Sequence, residues 1–258
     1  MENPTFETAN ASALPAPKRL FAYAKHEINA CWAYLKHPRY LRVSHPSNKE
    51  RWSRIALFFA AMLLLDIVFT LTIGLALDKW ATLDYLPDLG PAAFFFLAVL
   101  MAPLIEEMIF RAGLRTPVYS LYIGPVLIIL VGGATPWQLS LVFITTILVL
   151  AFGAHLYIEQ RKRERGMQTN FFVARQYLQH YPKVFWLYAC GFSLVHIVNY
   201  GINDASGLLV VFAVIPQFIA GALWGYIRLR DGLMSSMVLH ALGNFVPFVL
   251  IYGFGLDA

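Results

Sequence analysis

Long apolar runs separated by short polar connections recur from residue 55 almost to the end of the 258-residue chain. A helix that crosses the roughly 30 Å hydrocarbon core of a bilayer needs about 20 mostly apolar residues. By that rule the sequence predicts about seven transmembrane helices, and an eighth element can lie in the loop after Tyr157. The predicted spans cover residues 55–77, 91–114, 118–131, 137–157, 183–199, 208–226 and 233–252.

The composition agrees with a membrane location. Hydrophobic residues make up 59% of the chain and charged residues only 14%, whereas about a quarter of the residues of a soluble domain are charged. We therefore predict an all-α fold, a polytopic membrane helical bundle surrounded by the lipid bilayer. Residues 1–54 are predicted to form a cytoplasmic N-terminal segment and residues 55–258 a transmembrane domain.

The N-terminal segment contains a pattern of apolar side chains at helical spacing, with Lys25, Glu27 and Lys36 between them. The apolar residues are Phe21, Ala24, Ile28, Cys31, Trp32 and Leu35. This pattern predicts an amphipathic helix that either lies on the cytoplasmic lipid surface or docks on the protein's own loops.

Lysine and arginine are concentrated on one side of the predicted bundle, and this asymmetry predicts its orientation. They are frequent before the first span, after the fourth and after the sixth, whereas the opposite connections contain only Lys79. We predict a multi-pass protein of the cell (inner) membrane with a cytoplasmic N-terminus. The net charge of +5 then reflects topology, so no nucleic-acid partner is expected. Cys31 and Cys190 show no metal-type spacing.

Few polar side chains interrupt the predicted spans. Each is informative, because an ionisable group in lipid costs a few kcal/mol unless it is paired or faces a cavity. These residues are Asp66, Glu106, Glu107, Arg111, His196, His240 and Asn244. Residues four apart on a helix share a face, whereas adjacent residues point about 100° apart. Glu107 is therefore placed to pair with Arg111, and Glu106, directed at another helix or at water, is a candidate general base.

The same i, i+4 spacing recurs in two other spans. Phe192 and His196 share one helix face in the first of them. His240 and Asn244 share a face in the second and offer hydrogen-bond donors to an anionic oxygen. Gly243 beside them is expected to admit a neighbouring backbone. A carboxylate base, two imidazoles and an amide that converge in a membrane cavity form a plausible hydrolytic site.

Each pattern also has a structural interpretation. A histidine in a membrane helix can be a packing residue, and a Glu–Arg pair can be purely structural, but their joint occurrence on three spans favours function. Asp66 lies outside these motifs and is expected to have a structural role, as a partner of Arg111 or of a histidine. Counted from the cytoplasmic ends of the spans, Glu106 and His240 lie about 12 Å deep and His196 about 20 Å deep. Helix tilt, or a fifth span that begins below the membrane surface, is needed to absorb that difference.

The three motifs together resemble those of a known family. EEMIFR (106–111), FSLVH (192–196) and HALGN (240–244) are similar to its EExxxR, FxxxH and HxxxN motifs. The family is the CPBP family, the CAAX-protease and bacteriocin-processing family, which is related to type II CAAX prenyl endopeptidases. The resemblance covers residues 91–248 and implies a helical membrane fold with a cavity open to the cytoplasm and to lipid.

The resemblance also implies a role for each motif residue. Glu106 and His196 are expected to activate a water molecule, while His240 and Asn244 stabilise the oxyanion. The supporting motif members are Glu107, Arg111 and Phe192. Glutamate-activated water without a cofactor is the favoured interpretation. The alternative is a divalent metal such as zinc, with Glu106, His196 and His240 as ligands, although the sequence contains no HExxH pair.

We therefore predict an intramembrane endopeptidase that hydrolyses a peptide bond in a membrane-associated protein or peptide. Two other classes stay open. One is a proton- or cation-coupled transporter, in which buried glutamate and histidine residues act as relays. Such transporters often contain inverted repeats with paired broken helices, which we do not detect in this sequence. The other is a non-catalytic membrane scaffold or immunity protein.

Overall fold

The computed structural model describes residues 16–41, 46–74, 81–82, 90–116, 160, 164, 169–199, 201–202 and 212–255. This part of the chain is mostly helical, with one antiparallel pairing of two-residue strands, β1 (Ala81–Thr82) and β2 (Gly201–Ile202). The α-helices are α1 (Ala16–Lys36), α2 (Asn48–Phe69), α3 (Pro91–Phe94), α4 (Ala102–Phe110), α5 (Thr169–Gln179), α6 (Tyr181–Val195), α7 (Ile215–Asp231) and α8 (Leu233–Phe248). The predicted helical architecture is confirmed for these residues.

Irregular helical turns adjoin several of these helices. π-helical segments extend α2 (Thr70–Gly74), join α3 to α4 (Phe95–Met101) and extend α8 (Val249–Gly253). 3₁₀ turns follow α4 (Ala112–Leu114) and α6 (His196–Asn199). Two of the three motifs therefore lie at or beside a change of helical register.

Three described helices are long and apolar enough to cross a membrane, namely Asn48–Thr72, Pro91–Leu114 and Leu233–Gly253. The predicted spans 183–199 and 208–226 correspond to α6 and α7, helices of 15 and 17 residues. The predicted spans 118–131 and 137–157 lie outside the described residues, so the count of seven stays a prediction. The loop after Tyr157, which the sequence allows to hold an eighth element, contains the 11-residue helix α5.

Local sequence explains where the helices begin. Ser47 caps α2 in a capping box: its hydroxyl accepts from the Glu50 N–H at 3.3 Å, and the Glu50 carboxylate accepts from the Ser47 N–H at 2.9 Å. Prolines occupy the first turns of α3, α4, α6 and α7, where a missing N–H is tolerated. Gly232, with φ of 100°, forms the one-residue link between α7 and α8, a conformation that favours glycine.

Helix α7 packs closely against both α6 and α8. Its sequence GALWG places Gly221 and Gly225 one turn apart, the small-residue spacing that lets membrane helices approach each other. A Cβ on Gly225 would lie 2.9 Å from Phe185 Cε2, and one on Gly221 would lie 3.1 Å from Phe192 Cδ1. The absence of side chains at these two positions thus allows the phenylalanines of α6 to pack directly on α7.

Gly243 in α8 differs from what its sequence context suggested. A Cβ at this position would lie 3.6 Å from Met62 Cε and 3.7 Å from Trp224 Cζ2, which are ordinary contacts with side chains. Among the described residues no backbone lies within 4 Å of this position, so the expectation that Gly243 admits a neighbouring backbone is wrong for this part of the chain.

Helix α1 crosses one end of the bundle. Near its start, the Tyr23 hydroxyl donates to the Glu50 carbonyl at the beginning of α2, over 3.5 Å. Near its end, the Tyr34 ring packs on Phe185 in the first turns of α6 and on Tyr226 in the last turns of α7, with centroids 5.4 and 5.3 Å apart. Because α1 meets the ends of three helices in turn, it runs transverse to them.

A buried cluster of charges fixes α1 to the bundle. Glu27 pairs with Arg54 Nε of α2 at 2.9 Å and with Arg230 of α7 at 3.6 Å, and Arg54 also binds Asp231. Cys31 is buried one turn further along the same face. One face of α1 is thus docked on the bundle, and an adjacent face leaves the large apolar side chains of Phe21, Ile28 and Trp32 exposed. Leu20, near the start of the helix, is also exposed.

Candidate active site

The helix that carries the two adjacent glutamates is fixed at its C-terminal end. The Tyr177 hydroxyl donates to the Gly113 carbonyl at 2.6 Å, and the Tyr181 hydroxyl donates to the Leu114 carbonyl at 3.0 Å. Carbonyl groups at the end of a helix lack intrahelical donors and need such partners when they are buried. Side chains of α5 and α6 therefore hold this end of the helix in place.

Glu107 and Arg111 form the predicted i, i+4 ion pair. Arg111 Nε lies 3.4 Å from Glu107 Oε1, and both side chains are buried. The guanidinium carbon of Arg111 also lies 4.0 Å from the ring centroid of Phe192 and 5.3 Å from that of Trp224. Aromatic faces attract cations, and more strongly away from water. The pair is therefore a neutral, aromatic-lined unit that joins α4 to α6 and α7.

The carboxylate of Glu106 faces the imidazoles of two histidines. Its Oε2 lies 3.8 Å from His196 Nε2 and 3.7 Å from His240 Nε2. The three residues come from α4, from the turn that ends α6, and from α8. The structure thus brings together three side chains that are distant in the sequence and that belong to three different motifs.

The second nitrogen of each histidine is held by an acceptor. His196 Nδ1 lies 2.7 Å from the Phe192 carbonyl oxygen, and His240 Nδ1 lies 3.1 Å from Glu107 Oε1. A carbonyl and an Arg-paired carboxylate only accept hydrogen bonds, so each Nδ1 carries the proton. In its neutral form, each ring then presents the lone pair of Nε2 to the space shared with Glu106. Two Nε2 lone pairs and one carboxylate oxygen face one another there, which is a suitable environment for a donor such as water.

Phe192 lies between the two histidines and the buried pair of Glu107 and Arg111. Its ring centroid lies 4.5 Å from the His196 ring and 5.8 Å from the His240 ring. The same ring lies under the guanidinium of Arg111. Phe192 therefore positions both histidines relative to the buried ion pair, which explains why this aromatic residue accompanies them.

The side chain of Asn244 replaces a backbone donor. Its Nδ2 donates to the Ala98 carbonyl at 2.8 Å. Ala98 lies in the π-helical segment before α4, where the Ala102 N–H donates to the Leu97 carbonyl five residues back. In that register the donor to Ala98 would be the N–H of residue 103, which is a proline and has none. Asn244 supplies this hydrogen bond and thereby connects α8 to the π-helical segment that leads into α4. Its second N–H remains available to another acceptor.

A cavity of about 810 Å³ opens beside these side chains. His196, His240, Asn244 and Asp66 supply polar groups to its largely apolar lining. Within the described residues Asp66 forms no hydrogen bond or ion pair with Arg111 or with a histidine, so its expected partnership is not found there. Asp66 instead contributes a carboxylate from α2 to the wall of the cavity.

Sequence reasoning missed Trp224, which lies against the site on α7. Its indole stacks on the His240 imidazole, with centroids 3.8 Å apart and planes inclined by 20°. Its Nε1 donates to Met62 Sδ at 3.2 Å, which holds the indole in place. One feature of the sequence could have pointed to Trp224. It lies within GALWG, whose two glycines predict close packing of this part of α7.

A divalent metal such as zinc fits these residues poorly. Two ligands of a tetrahedral zinc with bonds near 2.0–2.1 Å lie about 3.3 Å apart, whereas Glu106 Oε2 lies 3.8 and 3.7 Å from the two Nε2 atoms. Across the described ranges, no group of three or more His, Cys, Asp or Glu side chains is arranged to hold a metal ion.

Comparison with known proteins identifies the family. No curated protein and no solved structure matches the chain. The model of the type II CAAX prenyl endopeptidase Rce1-like family matches residues 88–246, which is more than half of the chain. The matched region contains all three motifs and excludes α1 and α2. The chain therefore belongs to the type II CAAX prenyl endopeptidase Rce1-like family.

Proposed function

We propose that this membrane protein is an intramembrane endopeptidase that hydrolyses a peptide bond in a membrane-associated protein or peptide. The observation that carries the proposal is the approach of Glu106 Oε2 to within 3.8 and 3.7 Å of the Nε2 atoms of His196 and His240. Family membership supports the reaction class, since the family is one of CAAX endopeptidases. The adjoining cavity gives a peptide room to lie beside these groups.

In the proposed reaction, Glu106 accepts a proton from a water molecule while the remaining hydroxide attacks the peptide carbonyl carbon. His196 orients that water by accepting a hydrogen bond at Nε2. The charge that develops on the carbonyl oxygen is held by the free N–H of Asn244 and by His240. Glu106 passes the proton of the water to His240 Nε2, which lies 3.7 Å from Glu106 Oε2, so that His240 donates through Nε2 while its Nδ1–H stays on Glu107. As the C–N bond breaks, that proton returns through Glu106 to the leaving amine.

The proposed reaction uses no metal. Before the reaction begins, Glu106 Oε2 and the two Nε2 atoms are proposed to act as acceptors around a space that suits one water molecule. Activity should therefore survive treatment with a strong chelator. Loss of activity on chelation, followed by recovery with zinc alone, would overturn this part of the proposal.

We also propose a cytoplasmic N-terminus in the cell (inner) membrane, with α1 at the membrane surface. A helix that crosses the ends of spanning helices lies roughly in the plane of the membrane surface. The exposed face of α1 carries Phe21, Ile28 and Trp32, with Lys25 and Lys36 between and beyond them. Apolar side chains interleaved with lysine suit the boundary between acyl chains and anionic headgroups.

The test is a comparison of membrane proteins from cells that carry the wild-type chain or its Glu106→Gln variant, which keeps the volume of the side chain. The matched control is Glu164→Gln, which alters an exposed glutamate bonded only to Gln160 among the described contacts. We expect uncleaved precursors to accumulate with Glu106→Gln and not with Glu164→Gln. A folded Glu106→Gln protein that processes the same proteins as wild type would refute proteolysis. Ion flux in sealed vesicles that disappears with Glu106→Gln would instead indicate a transporter.

A further inference from the structure

Asp66 is a carboxylate within the membrane-spanning helix Asn48–Thr72. Its side chain is accessible and lines the same cavity of about 810 Å³ as His196, His240 and Asn244. It also lines a smaller adjoining cavity of about 220 Å³. An ionisable side chain in a membrane span usually faces such a cavity and usually has a function there. Asp66 lies outside the region that the family model matches, so membership of the family assigns it no role.

The carboxylate of Asp66 has no cationic partner among the described residues. Arg111 is occupied by Glu107 and by aromatic rings. Arg54, on the same helix, is occupied by buried carboxylates and lies about 18 Å away along the helix axis. Furthermore, the sequence from residue 117 to residue 160 contains no lysine or arginine. Among the described residues, the cavity therefore presents a carboxylate without a cationic partner.

Contacts between side chains indicate how far Asp66 is from the reacting groups. Met62, one turn earlier on the same helix, accepts a hydrogen bond from Trp224 at 3.2 Å, and Trp224 stacks on His240 at 3.8 Å. One further turn of helix adds about 5.4 Å. Asp66 thus lies on the order of 10 Å from His240, and an extended peptide covers that distance in about three residues.

We propose that Asp66 forms a substrate subsite for a cationic side chain, a lysine or arginine of the bound peptide, about three residues from the bond that is cut. The proposal rests on the proposed function, because it takes the occupant of the cavity to be a peptide substrate. In a cavity with apolar walls, an unpaired carboxylate attracts a cation more strongly than it would in water. A substrate with glutamate at that position would place two like charges together and bind poorly.

The test uses short fluorophore–quencher peptides with an apolar host sequence, presented in lipid vesicles to the full-length protein. Lysine, glutamine or glutamate is moved through each position on either side of the cleaved bond. Cleavage is measured for wild type, Asp66→Asn, Asp66→Lys and the control Glu164→Gln. Binding of the same peptides to Glu106→Gln, with and without Asp66→Asn, is measured separately by fluorescence anisotropy.

We expect wild type and Glu164→Gln to prefer lysine over glutamate by at least about tenfold in kcat/KM at one position. Asp66→Asn should remove that preference, and Asp66→Lys should reverse it. Cleavage that is indifferent to charge, or a lysine preference that persists in Asp66→Asn, would overturn the subsite and leave the endopeptidase proposal standing. Lysine-selective binding to Glu106→Gln that depends on Asp66, without cleavage by wild type, would support the subsite and refute the endopeptidase.

Discussion

The imidazole of His240 lies on the indole of Trp224, with centroids 3.8 Å apart and planes only 20° from parallel. His240 also contacts both adjacent glutamates, with Nδ1 3.1 Å from Glu107 and Nε2 3.7 Å from Glu106. The carboxylate of Glu107 and the indole thus fix the position and plane of the ring, and Nε2 is left facing Glu106. Trp224 is therefore a positioning residue in this account.

Replacement of Trp224 by leucine should lower kcat by about 10- to 100-fold with little change in KM, because small displacements of a reacting group have effects of that size. Trp224→Phe keeps an aromatic face and should retain most of the activity. Trp186→Leu is the matched control, since Trp186 stacks on Phe218 rather than on a motif residue. Equal losses in Trp224→Leu and Trp186→Leu would contradict a positioning role.

The hydrogen bond from Asn244 to the Ala98 carbonyl predicts a coupling between two distant positions. Asn244→Ala should destabilise the protein by about 1 kcal/mol, because a part-buried carbonyl loses its donor. Pro103→Ala supplies a backbone N–H that can take over this bond. The double variant should therefore unfold at a higher temperature in detergent than Asn244→Ala alone. Additive losses of stability in this double-mutant cycle would show that the two positions are not linked through Ala98.

Gly221 tests the close approach of α6 and α7. In Gly221→Ala the new methyl group would lie 3.1 Å from Phe192 and 3.4 Å from an Arg111 nitrogen. Overpacking of this kind typically costs about 1–3 kcal/mol, and movement of Phe192 should also lower activity. Gly191→Ala is the control, because among the described side chains its methyl group would meet Phe110 alone, at an ordinary contact distance of 3.6 Å. Unfolding temperatures and cleavage rates of the two variants should differ clearly, and indistinguishable values would contradict the packing described here.

Burial in α1 raises the pKa of the Cys31 thiol to about 12. The reactive thiolate is therefore scarce in the folded protein. In a Cys190→Ala background, maleimide labelling of Cys31 should be slow at pH 7 and should hardly accelerate up to pH 9. Glu27→Ala removes the carboxylate that pairs with Arg54 and Arg230, so labelling should become fast and rise with pH. The exposed Lys25→Ala on the same helix is the control, and equal labelling of all three proteins would show that α1 is not docked.

Much of the site could be predicted from the sequence because it depends on local helical geometry. The pairing of Glu107 with Arg111 and the different direction of Glu106 both follow from positions on one helix, and the structure has both. The docked face of α1 was less accessible to prediction. The apolar pattern of α1 in the sequence contains both Cys31, which is buried, and Phe21, Ile28 and Trp32, which are exposed. The pattern alone therefore does not show which face is docked.

The remaining features depend on contacts between helices, which a single sequence does not encode in a readable way. Counting residues placed His196 about 8 Å deeper than Glu106, yet the two side chains approach to 3.8 Å. The bond from Asn244 to Ala98 depends on a π-helical register that Pro103 makes possible but that its presence alone does not predict. Trp224 belongs to none of the three motifs and becomes recognisable only when α7 packs against α8.

The most direct test of the central claim measures cleavage by purified protein in lipid vesicles, with a precursor identified from the membrane-protein comparison. Glu106→Gln should keep the wild-type unfolding temperature and lose about 10²- to 10⁴-fold in rate, the contribution typical of a general base. Glu107→Gln should lose stability as well, because it leaves the buried charge of Arg111 without its carboxylate. Cleavage by a folded Glu106→Gln protein at the wild-type rate would contradict the account.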